Sequence, residues 1–197
     1  MIDGILIREG VVSAAGGFSI PLALLVVAAL VIAAAWIDVR RQRIPNGLVI
    51  GGTLAGCVLQ ALFPAGGGFP AAVAGIAVGF LLLAPLYLLR AMGAGDVKLL
   101  AMTGAYLGAA GVFTAALLAF VAGGVLAIAV ALKNHALGRL MENVRLMLGG
   151  SLVRTVAGGG ASFVAPAGSA GSLPYGVAIA LGTIGQIILQ QTGSTLF

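Results

Sequence analysis

Residues 71–100 read AAVAGIAVGFLLLAPLYLLRAMGAGDVKLL, and they combine a long apolar run, a glycine-rich turn and an aspartate. Its first part, residues 71–89, has no charged residue and is about as long as a helix that crosses the core of a bilayer, roughly 20 residues. A glycine-rich turn follows, and then Asp96 and Lys98 begin a second apolar run. Because an ionisable group beside membrane helices is energetically unfavourable, Asp96 needs a functional or structural reason.

The rest of the chain has the composition of a membrane protein. Hydrophobic residues make up 61% of the 197 residues, charged residues make up 8%, and the mean hydropathy is +1.19. An ordinary globular domain has about 25% charged residues. The long runs are uniformly apolar and lack the alternation of a transmembrane β-barrel, and the 32 glycines suit close helix packing. The composition therefore predicts an all-α, polytopic membrane helical bundle.

Turn-forming residues divide the apolar sequence into about six predicted transmembrane helices. The predicted spans are about 18–37, 47–63, 70–89, 96–110, 111–132 and 173–191. The weakest division is the one near Gly108 and Gly111. We interpret residues 1–197 as a single integral membrane domain with a long loop at 133–172. Within this loop, residues 135–148 have the apolar spacing of a helix that lies in the membrane interface.

The basic residues orient this predicted bundle. With the N-terminus outside, the cytoplasmic loops are 38–46, 90–95 and 133–172. Together with the start of the fourth span, they contain every lysine and arginine except Arg8. This arrangement follows the positive-inside rule, and it explains the basic balance without nucleic acid as a partner. It also places Asp38 and Asp96 at the same, cytoplasmic face.

Asp38 and Asp96 end two different predicted helices at that face. Each has a structural explanation alone, because Asp38 could be an interfacial charge and Asp96 could cap a helix start. Together they match the needs of peptide hydrolysis without a metal, since one carboxyl group can activate water while the other supplies a proton. The assignment of acid and base between them stays open. Gly93 and Gly95 would permit unusual backbone conformations and close approach of a substrate strand.

Several neighbouring residues have alternative interpretations. Pro45 and Asn46 are expected to start the second helix, because proline suits a first helical turn. A direct role of Asn46 in substrate binding is the alternative. Lys98 either reaches toward lipid headgroups or acts electrostatically on the two aspartates. The single cysteine, Cys57, cannot form an intrachain disulfide or a zinc cluster, so we expect neither a metal site nor a cofactor.

Three segments, in order, resemble the prepilin peptidases. Residues 93–98, GAGDVK, resemble the G-x-G-D motif of intramembrane aspartic proteases, followed by the lysine common in prepilin peptidases. Residues 38–46, DVRRQRIPN, resemble the first aspartate motif of that family, and residues 173–182, LPYGVAIALG, resemble its last transmembrane segment. This resemblance covers nearly the whole chain and implies that Asp38 and Asp96 are the catalytic residues.

The resemblance implies an aspartic endopeptidase of the prokaryotic cytoplasmic (inner) membrane. Such an enzyme removes the basic leader peptide of type IV prepilins or pseudopilins at the cytoplasmic face. Long bacterial members carry a cysteine cluster and a methyltransferase activity. This chain has one cysteine and its first aspartate already at position 38. It therefore resembles the short, peptidase-only form of Flp-type tight-adherence pili.

Two alternatives stay open at this point. An archaeal preflagellin peptidase would look similar. A non-enzymatic membrane transporter or secretion-complex subunit is the other alternative, because acidic residues in membrane helices also mark ion pathways. Transport predicts acidic residues near the middle of a span, whereas Asp38 and Asp96 lie at the ends of their predicted spans.

Overall fold

A computed structural model of the protein describes residues 5–8, 11–14, 19–63, 67–89, 92–133, 138 and 174–193. These residues contain five helices: α1 (Leu22–Arg41), α2 (Asn46–Leu62), α3 (Gly68–Leu88), α4 (Ala94–Lys133) and α5 (Tyr175–Gln191). The predicted helical bundle is confirmed. The described part holds five helices where the sequence predicts six, because α4 covers both 96–110 and 111–132. The predicted interfacial segment 135–148 lies, apart from Gly138, outside the described residues.

The outer surface of the bundle suits a bilayer. Among the described helices, α1, α3 and α4 are long and apolar enough to cross a membrane, and α2 is a shorter apolar helix. Large apolar side chains are exposed on their outward faces, which is expected where the solvent is lipid hydrocarbon. The most exposed of them include Ile32, Ile50, Leu54, Leu62, Leu81, Leu88, Val121 and Val125. The protein is an integral membrane protein.

Helix α4 consists of two arms that meet at Gly108. This glycine has φ 70° and ψ −177°, a backbone conformation that interrupts the helix and that other residues rarely adopt. The sequence predicts a break near Gly108 and Gly111, and the break falls at Gly108. Every residue from Leu99 to Gly108 is buried, so the first arm is surrounded by protein along this length. This central arm begins two residues before Asp96.

Helix α3 approaches the central arm so closely that backbone touches backbone. Gly75 of α3 lies directly against Gly104 of α4, and neither position has room for a side chain. One turn further along α3, a Cβ atom added at Gly79 would lie 2.6 Å from the Leu100 carbonyl oxygen. Small residues spaced four apart allow membrane helices to pack in this way. The crossing therefore fixes where the first turns of α4 lie.

A pair of buried hydrogen bonds joins α2 to the same arm. The Gln60 amide Nε2 donates to the Tyr106 carbonyl oxygen at 3.0 Å. The Tyr106 hydroxyl donates to the Gly52 carbonyl oxygen at 2.6 Å. Polar groups without water must find partners inside the protein. These two bonds tie α2 to α4 at two levels.

A small antiparallel sheet precedes α1 and was not predicted from the sequence. Its strands β1 (Ile5–Arg8), β2 (Val11–Ala14) and β3 (Ser19–Pro21) follow one another in the order β1-β2-β3. Ile5 pairs with Ala14, and Val11 pairs with Pro21. Because β3 takes residues 19–21, the first helix begins at Leu22 rather than near residue 18. The departure is confined to this N-terminal segment.

Candidate active site

Asp38 lies in the last turn of α1, and its side chain is only 7% exposed. The helix ends at Arg41, and Gln42 follows in a left-handed conformation with φ 50°. The Oδ2 atom of Asp38 accepts a hydrogen bond from the Gly176 backbone N–H of α5 at 2.9 Å. Nearby, the Arg40 guanidinium carbon lies over the Trp36 ring, 4.3 Å from its centroid. Asp38 thus faces the protein, whereas Arg40 lies on the exposed side.

Asp96 is the third residue of α4 and is half-buried. Its backbone N–H donates to the Gly93 carbonyl oxygen at 3.2 Å, and its carboxylate folds back toward Gly93, where an added Cβ atom would lie 3.2 Å from Oδ2. An acidic side chain at the third helical position that folds back on the first turn corresponds to one half of a capping box, and Gly93 has no side chain for the other half. Asp96 therefore serves the start of α4, as its structural explanation requires. The same turn fixes the direction of its carboxylate.

Gly93 and Gly95 have ordinary backbone conformations, and an added side chain would be tight only at Gly93. Neither has a positive φ, so the predicted unusual backbone at these two positions is wrong. A Cβ atom at Gly93 would lie 3.2 Å from Asp96 Oδ2, and one at Gly95 would lie 3.4 Å from Ile44 Cβ. The missing side chain at Gly93 leaves room for the Asp96 carboxylate, whereas an added Cβ at Gly95 would make an ordinary van der Waals contact with Ile44.

The two carboxyl groups come together although they belong to different helices. Those of Asp38 and Asp96 lie close enough to interact electrostatically. The Tyr175 hydroxyl, at the start of α5, also lies within electrostatic range of Asp96. The structure thus brings together the two residues that the sequence singled out, with the first turn of α5 beside both.

A second link joins the segments that carry the aspartates. Helix α2 begins at Asn46 after Pro45, as predicted. The Lys98 Nζ atom donates to the Asn46 Oδ1 atom at 3.2 Å in an exposed position. Lys98 is expected from the sequence to reach lipid headgroups or to act electrostatically on the aspartates. The structure favours neither interpretation, since the partner of Lys98 is Asn46. The bond ties the loop after Asp38 to the turn that holds Asp96.

Two carboxyl groups so placed can carry out acid–base chemistry on a water molecule and an amide. Among the described residues, no group of three or more His, Cys, Asp and Glu side chains could hold a metal ion. The sequence assigns no role to Gly176, and it places Tyr175 in the interfacial aromatic belt, with a supporting role in the site as the alternative. The sequence Pro174, Tyr175, Gly176 could have indicated the contact between Gly176 and Asp38, because the proline marks a helix start. The first backbone N–H groups of a helix have no partner within it.

A membrane helical bundle that brings two carboxyl groups together has the architecture of an intramembrane aspartic protease. The comparison with protein families agrees with this class. The model of the type IV leader peptidase family matches residues 25–128, a stretch that includes both aspartates. The chain therefore belongs to the type IV leader peptidase family, which is a family of aspartic proteases. No curated protein and no solved structure matched the chain.

Proposed function

We propose that Asp38 and Asp96 are the catalytic pair of this leader peptidase. The observation that carries the proposal is the electrostatic proximity of two carboxyl groups from separate helices. Like charges at short range do not both ionise readily, so such a pair shares one proton. One member is then ready to act as a base while the other acts as an acid.

The reaction follows from this division of roles. The ionised carboxylate takes a proton from water as the water oxygen attacks the carbonyl carbon of the scissile peptide bond. The protonated carboxyl group gives its proton to the carbonyl oxygen, and a tetrahedral intermediate forms. Its collapse breaks the C–N bond, and the leaving nitrogen takes up the proton that the base had removed. As the C–N bond breaks, one hydroxyl of the intermediate returns a proton to the carboxylate that had acted as the acid, so both aspartates regain their starting states.

We further propose that the substrate is a type IV prepilin or pseudopilin of the Flp-like kind, cut at the cytoplasmic face of the inner membrane. Support for this orientation comes from the charges around the pair. Among the described residues near the pair, exposed basic side chains include Arg40, Arg41, Arg43 and Lys98. Clusters of this sign favour the cytoplasmic side, which leaves the N-terminus outside.

Single substitutions of the two aspartates test the catalytic assignment. Asp38→Asn and Asp96→Asn should each abolish cleavage of a reporter that carries a basic leader, a glycine and a hydrophobic helix. Acid and base act as a unit, so the double variant should be no worse than either single variant. Cleavage is measured in membranes as the shift in reporter mass, and expression of the peptidase is measured alongside.

Glu142→Gln is the matched control, because it also replaces an acid by its amide and should leave processing unchanged. Substantial cleavage by either aspartate variant would contradict the assignment. Loss of cleavage in all three variants would point to a general effect of removing negative charge, and would contradict it as well.

A further inference from the structure

The first turn of α5 lies against both aspartates of the proposed pair. Backbone N–H groups in the first turn of a helix have no partner within that helix. Gly176, the second residue of α5, uses its N–H to donate to Asp38 Oδ2 at 2.9 Å in a buried position. Its neighbour Tyr175 lies within electrostatic range of Asp96. Two consecutive residues therefore interact with the two carboxyl groups separately.

Only glycine fits at position 176. A Cβ atom there would lie 2.8 Å from Asp38 Oδ2 and 3.1 Å from Asp38 Cβ. Carbon atoms do not approach a carboxylate oxygen this closely, so any side chain would displace the carboxyl group or the helix. The missing side chain is what allows the backbone N–H to reach Asp38.

The Tyr175 ring is held from its other side by the second arm of α4. A Cβ atom at Gly123 would lie 2.7 Å from Tyr175 Cε2 and 3.4 Å from its hydroxyl oxygen. The next residue, Gly124, has open space around its Cβ position. The ring therefore packs against Gly123 and not against Gly124, and the contact with Gly123 helps to fix where its hydroxyl lies relative to Asp96.

We propose that Tyr175 and Gly176 are positioning residues of the active site, which hold the Asp38 and Asp96 carboxyl groups in their working arrangement. They act from a helix that lies beyond the family-matched residues 25–128. The inference rests on the proposed catalytic role of the two aspartates. It adds the start of α5 to a site whose two aspartates lie on α1 and α4.

Two glycine pairs test the proposal in the full-length protein. Gly176→Ala is compared with Gly185→Ala on the same helix, where the added Cβ meets only the flexible end of Leu118. Gly123→Ala, which displaces the Tyr175 ring, is compared with its open neighbour Gly124→Ala. Cleavage of a synthetic peptide with a basic leader, a glycine and a hydrophobic segment is measured in detergent, with kcat and KM determined separately.

Gly176→Ala should lower kcat about 10- to 100-fold, as expected when a carboxylate loses a hydrogen bond from a backbone donor. Gly123→Ala should also lower kcat, whereas KM and the melting temperature stay near wild type and both controls keep wild-type kcat. Should Gly176→Ala not fold, Gly123→Ala and Tyr175→Phe carry the test, and each should lower kcat at unchanged KM.

Wild-type kcat in Gly176→Ala, or equal losses in the variants and their controls, would overturn the proposal. A change confined to KM would overturn it too, since positioning of the carboxyl groups acts on the chemical step. Full activity of Asp38→Asn would instead refute the catalytic pair itself. Inactive Asp38→Asn beside fully active Gly176→Ala would refute only the positioning role.

Discussion

Gly79→Ala tests whether the crossing of α3 and α4 sets the position of Asp96. The added Cβ would lie 2.6 Å from the Leu100 carbonyl oxygen, and ordinary contacts begin at 3.4 Å. The two backbones must therefore separate by about 0.8 Å, because no rotamer change relieves a clash with backbone atoms. Leu100 is four residues, or about 6 Å of helix, beyond Asp96. The displacement reaches the first turn of α4.

The expected size of the effect follows from this displacement. Overpacking a close contact costs about 1–3 kcal/mol of stability, and a shift of about 1 Å at reacting groups can lower a rate about 100-fold. We expect Gly79→Ala to lower kcat at least about tenfold, since only part of the 0.8 Å reaches the carboxyl group. Peptide cleavage in detergent and the thermal unfolding of the purified protein measure the two effects.

Gly51→Ala on α2 is the matched control, because nothing lies within 4 Å of its Cβ position. It should keep wild-type kcat, and its stability should stay equal or rise, since alanine favours the helix over glycine. Wild-type kcat together with an unchanged unfolding temperature in Gly79→Ala would refute the close crossing. Equal losses in Gly79→Ala and Gly51→Ala would refute its specific link to Asp96.

Two further predictions concern the hydrogen bond between Lys98 and Asn46 and the accessibility of positions 42 and 96. Asn46→Ala and Lys98→Ala should each lower the cleavage rate only a few-fold, because an exposed hydrogen bond contributes about 1 kcal/mol or less. The double variant should lose no more than the larger single loss, and additive losses would show that the two side chains act separately. In a Cys57→Ser background, a bulky charged thiol reagent should modify Gln42→Cys in inverted vesicles much faster than Asp96→Cys. The reason is that Gln42 is exposed and Asp96 is half-buried. Equal rates at the two positions would contradict a recessed site. Labelling of Gln42→Cys from outside intact cells would contradict the proposed topology.

The helices were predictable because hydropathy is a local property. Apolar runs of suitable length must form helices in a bilayer, since every backbone polar group there needs an internal partner. The start of α2 after Pro45 followed from proline geometry in the same way. The sheet at residues 5–21 was missed because its strands are only three or four residues long. Runs this short carry little periodicity of their own.

Only those site residues whose function requires a particular side chain were predictable from the sequence. Asp38 and Asp96 stand out because charges are rare beside apolar helices. Gly176 does not stand out in the sequence, since it contributes a backbone N–H and the absence of a Cβ atom rather than a reactive side chain. The partner of Lys98 could not be read either, because Asn46 is 52 positions away and only the packing of α2 on α4 brings them together. Contacts between helices follow from tertiary structure rather than from local pattern.

The hydrogen bond from Gly176 to Asp38 also has a consequence for how the enzyme is made. The two residues are 138 positions apart, one on the first described helix and one on the last. Since the ribosome delivers the chain from its N-terminus, Asp38 enters the membrane long before its donor has been synthesised. A partly inserted chain therefore holds both aspartates without the hydrogen-bond donor on α5. If Tyr175 and Gly176 position the pair as proposed, the nascent chain cuts about 10- to 100-fold more slowly than the complete enzyme until α5 has been inserted.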